Sequence, residues 1–223
     1  LGVFYFSGPH LRISLEDLQQ VEAKKDKGDK TFVTDGKELS NVLAAEIGKI
    51  SETESARRAF NALAGLWKVP PVAEGGHLSA GDGMERAAFD RKLRLYRFSG
   101  NLGALLRIDY PAITELTIPG IPGKRYVSLV GVEKDQLLVD PPLAARKSIS
   151  FNDLEKQWSG QGFILWKDPL NLSTIIMPGS EGDHVERLQG LLKEAGVFKE
   201  SLTGVYDGDT LAAVREFQSS SRI

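Results

Sequence analysis

Residues 112–142, AITELTIPGIPGKRYVSLVGVEKDQLLVDPP, decide the fold class of the larger part of this chain. Apolar and polar side chains alternate over 112–118. Two further β-rich runs, 125–132 and 136–139, are separated only by the polar residues 133–135. This pattern predicts a strand followed by a hairpin, because a short polar connection between two such runs joins antiparallel neighbours.

The residues before these strands have a helical pattern. Apolar side chains recur at helical spacing over 56–67, where Ser51 and Glu54 form a capping box at the start and Pro70-Pro71 ends the helix. Helices first and antiparallel strands second indicate an α+β domain across 33–169. Further helices are predicted at 39–50, at 84–91 and at 99–107, the last capped by Ser99. Another helix is predicted after the cap Ser150, with Phe151, Leu154 and Trp158 on its inner face. Asp140-Pro141-Pro142 is expected to end the hairpin, and a last strand is predicted at 162–166.

The C-terminal residues predict a small all-α unit of two helices. Asp183 is a candidate cap of the first helix, Gly196 is a candidate C-terminal glycine, and Asp209 or Thr210 is a candidate cap of the second. Below about 40 residues, such a unit needs support from its neighbours. Its inner face is predicted from Val185, Leu188, Leu192, Ala195, Leu211, Val214 and Phe217.

Residues 182–196 and 204–218 follow the spacings GxxVxxLQxxLxxxG and GxYDxxTxxAVxxFQ. These spacings resemble the peptidoglycan-binding domain that is appended to many cell-wall enzymes. The resemblance implies a shallow groove between the helices that holds a stem peptide or glycan. It also implies a third helix, so the unit is expected to be truncated. The candidate peptidoglycan-binding residues are Gln189, Gly204, Tyr206, Asp207, Thr210 and Gln218.

A second resemblance covers the middle of the chain. The stretches FNAL (60–63), YPAI (110–113), RYVSLVG (125–131), VDP (139–141) and WSG (158–160) are similar to the papain-like C39 peptidase fold. More narrowly, they resemble the degenerate C39 peptidase-like domain that precedes a peptidoglycan-binding domain in the periplasmic region of the general secretion pathway protein A family.

The chemistry of a C39 peptidase is incomplete in this sequence. An active member needs a cysteine, a histidine and an aspartate or asparagine. The resemblance places Arg125 at the histidine position and Asp140 at the aspartate position, and it places the cysteine near Gly83–Glu85, but the chain has no cysteine. A guanidinium stays charged and is no general base, so we expect no enzyme activity and no catalytic residues.

Composition excludes other classes of function. The net charge of −2 gives no strong footprint for nucleic acid, and no GxxxxGK[ST] phosphate loop is present. His77 with Asp82 and Glu85 matches no standard metal-ligand spacing, so neither a metal nor another cofactor is expected.

The first six residues, LGVFYF, are apolar. Two interpretations stay open: a buried strand, or the end of a transmembrane helix. The resemblance favours the second and implies a periplasmic protein that a helix just before residue 1 anchors to the inner membrane. The expected organisation is a juxtamembrane segment or linker at 1–32, the C39-like domain at 33–169, a linker at 170–178 and the peptidoglycan-binding domain at 179–223.

Three hypotheses follow from these observations. The first is a non-catalytic protein of type II secretion that binds peptidoglycan and assists assembly of the outer-membrane secretin, with an inner-membrane secretion protein or a second copy of the chain as further candidate partners. The second is a wall hydrolase or peptidase with an unrecognised active site. The third is a structural protein–protein interaction domain.

Overall fold

The computed structural model describes residues 9–11, 41, 45–133, 136–143, 146–167 and 176–220. The chain divides into two compact units, one of Gly8–Trp166 and one that contains Lys167–Ile223. Helices and strands are numbered here among the described residues, and each unit is considered by itself.

Among the described residues, the first unit has four helices with defined bounds, one sheet and a 3₁₀ turn at Ile47–Lys49. Its elements in chain order are α1 (Glu52–Leu66), α2 (Asp82–Phe89), β1 (Arg94–Ser99), α3 (Leu102–Arg107), β2 (Ala112–Leu116), β3 (Arg125–Glu133), β4 (Gln136–Leu143), β5 (Arg146–Ser150), α4 (Phe151–Gln157) and β6 (Trp158–Trp166).

The sheet has six strands in the order β1-β6-β2-β3-β4-β5, and every neighbouring pair is antiparallel. The predicted hairpin is confirmed as β3–β4, with Val132 opposite Leu137 and Leu129 opposite Val139. The predicted strand before it is β2, which pairs β3 on one side and β6 on the other. The predicted α+β class with an antiparallel sheet is therefore confirmed.

Helix α1 packs on β3 and forms the centre of the core. Its predicted cap is confirmed, because Ser51 Oγ accepts the backbone N–H of Glu54 at 3.1 Å. The inward face holds Ala56, Ala59, Phe60, Leu63 and Ala64, all fully buried. At the C-terminal end of α1, the Trp67 indole Nε1–H donates to the carbonyl of Leu165 at 3.1 Å, which fixes this end of the helix beside β6.

Several predicted boundaries in this unit are wrong. Residues 94–99 are strand β1, so Ser99 ends a strand, and the cap of α3 is Asn101, whose Oδ1 accepts the N–H of Ala104. Edge strands carry polar residues on their open side and lack a clear alternation, which hid β1 and also β5 from a pattern-based prediction.

Strand β4 also passes the point where it was expected to end and continues through two prolines to Leu143. Its regular pairing to β3 ends at Asp140, and its pairing to β5 shifts register between Leu138 and Leu143. The prolines therefore lie where a missing N–H removes little from the ladder.

The other end of the sheet differs in a similar way. Trp158 was expected on the inner face of α4 but begins β6, while the Ser150 cap is confirmed by the N–H of Asp153 donating to its Oγ at 3.1 Å. Helix α2 begins two residues before its predicted start. Of the helix predicted at 39–50, residues 39, 40 and 42–44 lie outside the described residues.

The second unit contains α5 (Asp183–Glu194) and α6 (Gly208–Ser220), which confirms the expected small helical unit. Its core consists of Val185, Leu188, Leu192, Phe198, Tyr206, Ala213 and Val214, with Ile176, Val197, Leu211 and Phe217 packed against it. Phe217 is only half-buried, whereas Phe198, which was not predicted as core, is 4% exposed. Among the helices that the structure describes, none has the length and apolarity that a membrane crossing needs.

Both predicted caps of this unit are wrong. The residue before α5 is Gly182, with no side-chain cap hydrogen bond, and Asp183 is the first helical residue. Asp207 caps α6, because its Oδ1 accepts both the N–H and the hydroxyl of Thr210, at 2.9 and 2.8 Å. Gly196 is confirmed as the C-terminal glycine of α5, with a φ of +78°.

Candidate functional site

The loop that joins α5 to α6 is organised around the side chain of Gln189. This glutamine lies on α5 and is completely buried. Its Oε1 accepts the backbone N–H groups of Thr203 and Gly204 at 2.8 and 3.0 Å. Its Nε2 lies 3.0 Å from the carbonyl of Val205 and 2.9 Å from the hydroxyl of Thr210. One buried amide therefore satisfies both donors and acceptors of the loop, as a buried polar group must.

A short antiparallel pairing holds the other side of the same loop. The N–H of Gly182 donates to the carbonyl of Gly204 at 2.8 Å, and the N–H of Tyr206 donates to the carbonyl of Ser180 at 2.8 Å. Gly204 has a φ of +67°, a left-handed conformation that strains any residue with a Cβ. The loop thus has a single defined shape, which is fixed by Gln189 on one side and by 179–182 on the other.

The six predicted binding residues fall into two groups. Gln189, Gly204, Tyr206 and Thr210 are buried, and the Tyr206 ring belongs to the core of the unit, where burial raises the pKa of its hydroxyl. Asp207 is exposed and Gln218 is half-buried. The structure thus brings five of the six to one loop and its flanking helices, but gives the buried ones a positioning role and leaves few of them accessible to a ligand. That any of the six binds peptidoglycan stays a prediction.

Sequence reasoning missed the exposed residues of this loop. Leu202 is 42% exposed and Val205 is 39% exposed, and Thr203 between them is also exposed. We call Leu202, Thr203, Val205 and Asp207 the loop rim. The available signal was the presence of two apolar residues in a turn otherwise rich in glycine and polar side chains. The Asp207 carboxylate on the rim has a pKa held below its ordinary value, first by the backbone N–H of Thr210 and then by its hydroxyl.

The positions that resemble a peptidase site lie in the first unit, beside α1. Arg125 is 7% exposed, and its guanidinium donates to the carbonyls of Ile47, Pro122 and Lys124 at 3.1, 3.2 and 2.8 Å. Asp140 is an exposed residue of β4 opposite Ser128. Arg125 is thus a structural cation that organises main-chain carbonyls.

The expected location of the cysteine position, Gly83–Glu85, does not fit this geometry. Those residues lie on α2, which packs against β1 at the far edge of the sheet from β3. The helix beside β3 is α1, and its inward first-turn residue is Ser55, 1% exposed, which sequence reasoning missed. Ser55 Oγ donates to the carbonyl of Glu52 at 2.7 Å and accepts the N–H of Tyr126 at 3.3 Å. Neither of these two partners, a main-chain carbonyl and a main-chain N–H, is a base that could activate the hydroxyl.

Asp82 and Glu85, which follow His77 in the sequence, both form ion pairs with the same arginine. Arg97 Nη2 donates to the carboxylates of both Asp82 and Glu85. Over the described parts of the chain, no group of three or more histidine, aspartate or glutamate side chains could hold a metal ion.

Residues 181–223 match the family described as "Putative peptidoglycan binding domain". The predicted resemblance of the C-terminal unit is therefore confirmed. No curated protein matches the chain significantly.

Solved structures similar to the chain include a periplasmic domain of the EpsAB fusion protein of the Vibrio vulnificus type II secretion system. It is 17% identical with a TM-score of 0.45, over 81% of this chain and 74% of that one. The peptidase domain of Streptococcus ComA is 15% identical with a TM-score of 0.42, over 54% and 96%. The N-terminal peptidase C39-like domain of a toxin secretion ATP-binding protein from Vibrio parahaemolyticus is 16% identical with a TM-score of 0.40, over 54% and 100%.

Proposed function

We propose that this chain is a non-catalytic peptidoglycan-binding protein that contacts the wall through the loop rim of its C-terminal unit. The observation that carries the proposal is the match of 181–223 to the peptidoglycan-binding family, together with a loop whose shape is fixed before any ligand arrives. A preformed loop loses little conformational entropy on binding, so its few exposed groups can contribute their full contact energy.

The loop rim has the chemistry that a wall polymer needs. Leu202 and Val205 offer apolar area to an alanine methyl group or a sugar face, and Thr203 and Asp207 offer polar groups beside it. Asp207 is ionised at neutral pH, and its lowered pKa extends the charged form to more acidic pH, so it favours an amino group over a carboxylate as its neighbour. The cross-linking residues of stem peptides carry such amino groups.

The groups around Ser55 support the proposal that the protein is not a hydrolase. The strand residue that contacts Ser55 is Tyr126, through its backbone N–H, and the residue before it is Arg125, a permanent cation whose donors are directed at carbonyls. Among the described residues, His10 pairs with Asp109 and neither touches Ser55. In the part of the chain that the structure describes, the two hydrogen-bond partners of Ser55 are main-chain groups and not bases, so we expect no activation of Ser55 as a nucleophile at neutral pH.

The place of the protein in the cell rests on the resemblance to the general secretion pathway protein A family. On that basis we propose a periplasmic location, an anchor in the inner membrane, and a role in which wall binding holds a type II secretion component where the outer-membrane secretin assembles. An inner-membrane secretion protein, or a second copy of this chain, is the proposed partner of the first unit.

The test compares binding to purified peptidoglycan sacculi by co-sedimentation. The full chain should pellet, and removal of 179–223 should abolish pelleting. Val205→Ser should weaken binding severalfold, while Leu66→Ser, which alters an equally exposed apolar residue (39%) in the first unit, should not. Equal pelleting of the Val205 variant and the parent chain would remove the loop rim from the site, and equal pelleting after the deletion would move binding to the first unit.

A further inference from the structure

The turn between α2 and β1 carries a cationic surface around one exposed aromatic ring. Phe89, the last residue of α2, is 64% exposed, which is the largest exposed fraction of any large apolar residue in the described part of the chain. The Arg94 guanidinium lies over its ring, 5.7 Å from the centroid. Between these two residues in the sequence, Lys92 is exposed and Leu93 is buried. The turn therefore buries one apolar residue and presents the other to solvent.

Two more cations lie at the same end of the unit. Arg91 joins the turn to the residues after α1, because its guanidinium donates to the carbonyls of Pro70 and Pro71. Lys68 precedes these prolines and is exposed. We call Lys68, Phe89, Arg91, Lys92 and Arg94 the basic end. The described carboxylates at this end of the unit are Asp90 within the turn, Asp109, which pairs with His10, and Glu133 at the end of β3. The basic end itself carries four cations in a chain of net charge −2.

The backbone at this end is unusual as well. In the described part of the chain, three non-glycine residues have a left-handed φ: Lys68 (+54°), Lys92 (+58°) and Asp109 (+56°). They follow the C-termini of α1, α2 and α3. Glycine or asparagine is the unstrained choice at such positions. A cation near a helix C-terminus gains from the helix dipole, which explains part of the charge. It does not explain an exposed phenylalanine among the cations.

The chain also enters the first unit at this end of the sheet. The N–H of Leu11 donates to the carbonyl of Asp109, and the N–H of Val132 donates to the carbonyl of Leu11, both at 3.1 Å. Strand pairing places Val132, the start of β2 and Arg94 at one end, because Ala112 faces both Leu129 and Ile164, and Arg94 faces Trp166. The ends of β1 and β3 are three strand spacings apart, or roughly 15 Å.

We propose that the basic end rests on a bilayer that contains anionic lipids. The cations meet lipid phosphates, and Phe89 enters the boundary between headgroups and acyl chains, as amphipathic membrane-binding surfaces do. The proposal rests in part on the proposed anchorage, because a chain that leaves the unit at residue 9 toward a membrane would bring this end against it. A tether raises the local concentration, so a few contacts suffice for binding.

The test uses the full chain and vesicles of phosphatidylcholine and phosphatidylglycerol at a 3:1 ratio, in low salt, with pure phosphatidylcholine vesicles as reference. Flotation should show binding to the anionic vesicles only. Each cation near an anionic surface contributes about fivefold in affinity, so the double variant Lys68→Gln, Lys92→Gln should lose roughly 25-fold. Phe89→Ser should lose binding severalfold.

The matched control lies at the opposite end of the sheet, where Arg146 and Lys147 begin β5 and are both exposed. The double variant Arg146→Gln, Lys147→Gln removes the same charge and should leave vesicle binding unchanged. Thermal melting should show that all variants fold. An equal loss in both double variants, or no loss in either, would overturn the proposal.

A spectroscopic measurement separates insertion from charge attraction. The chain has no cysteine, so Asp90→Cys accepts a single environment-sensitive dye beside Phe89, and Lys147→Cys gives the control. Anionic vesicles should shift the emission of the first to shorter wavelength and leave the second unchanged. Equal binding to soluble polyphosphate and no emission shift would assign the basic end to a soluble polyanion and overturn the lipid proposal. Sacculus binding of these variants should stay at the parent value, so failure here is distinguishable from failure of wall binding.

Discussion

The side-chain Oε1 of Gln189 on α5 accepts the backbone N–H of Gly204, fifteen residues further along the chain, at 3.0 Å. Replacement of Gln189 by leucine keeps the approximate size of the side chain but removes the oxygen that accepts the backbone N–H groups of Thr203 and Gly204. Since a buried unsatisfied amide costs about 1–3 kcal/mol, we expect the C-terminal unit of the Gln189→Leu variant to unfold at a clearly lower denaturant concentration. Hydrogen exchange should show loss of protection at the amides of Thr203 and Gly204.

The two phenylalanines of the C-terminal unit should differ in their importance. Phe198 is 4% exposed within the core, and Phe198→Ala should cost about 3–5 kcal/mol, which is enough to unfold so small a unit. Phe217 is half-buried at its margin, and Phe217→Ala should cost clearly less. Limited proteolysis after Lys193 and Lys199 provides the measurement. Equal sensitivity of the two variants would contradict the assigned packing.

Gly190 offers a substitution that should stabilise the protein. It lies inside α5, and a Cβ added there meets no atom within 4 Å. Glycine in a helix interior is about 0.5–1 kcal/mol less favourable than alanine. Gly190→Ala should therefore raise the stability of the C-terminal unit by about this amount in chemical denaturation, while Gly204→Ala, at a positive φ, should lower it. A lower stability for the Gly190 variant would show that the helix face is packed.

Asp207 makes the C-terminal unit sensitive to acid. Its pKa is lower in the folded protein than its ordinary value of 3.8, so its contribution is fully present above that value and is lost as the pH falls through the folded pKa. Melting of the unit between pH 7 and pH 2 should show this loss, and Asp207→Asn should flatten the acid limb. An unchanged acid limb in the variant would assign the sensitivity to other carboxylates.

Arg125→His should produce a less stable protein and no hydrolase. The substitution removes the donors to the carbonyls of Ile47, Pro122 and Lys124, while Ser55 keeps its bond to Glu52. Incubation with peptidoglycan and peptide substrates, followed by mass spectrometry, should show no defined fragments from either the parent chain or the variant. Fragments from the parent chain that vanish in Asp140→Ala would instead support a hydrolase.

The elements that the sequence predicted well are those with a strong local signal. The β3–β4 hairpin alternates clearly, and α1 has both a capping box and an apolar stripe. Strand β1 was missed because it is an edge strand that carries an arginine on each of its two faces, which breaks the apolar–polar alternation. The cap of α6 was assigned two residues late, because Asp207, Asp209 and Thr210 all suit a cap and only the loop geometry selects among them.

The candidate site shows the same division. The LQ and YD pairs pointed to the loop that Gln189 organises, but spacing alone does not say whether a residue binds a ligand or holds another residue in place. Gln189 and Tyr206 face inward because α5 and the turn of 204–206 direct them there, a property of the tertiary structure. Ser55 was missed because its contact with β3 joins residues about seventy positions apart in the sequence. Only the tertiary structure shows which helix packs beside that strand.

The pairing of 179–182 with 204–206 also determines how the C-terminal unit bears mechanical load. A wall polymer held at the loop rim and a connecting segment under tension before Gly179 would pull on two strands that are joined by backbone bonds from Gly179 to Tyr206 and from Gly182 to Gly204. The force would therefore load this ladder on one side of the loop and the hydrogen bonds of Gln189 on the other. Opening of the ladder alone would lengthen the connection while both helices stay folded, and the ladder could form again on release.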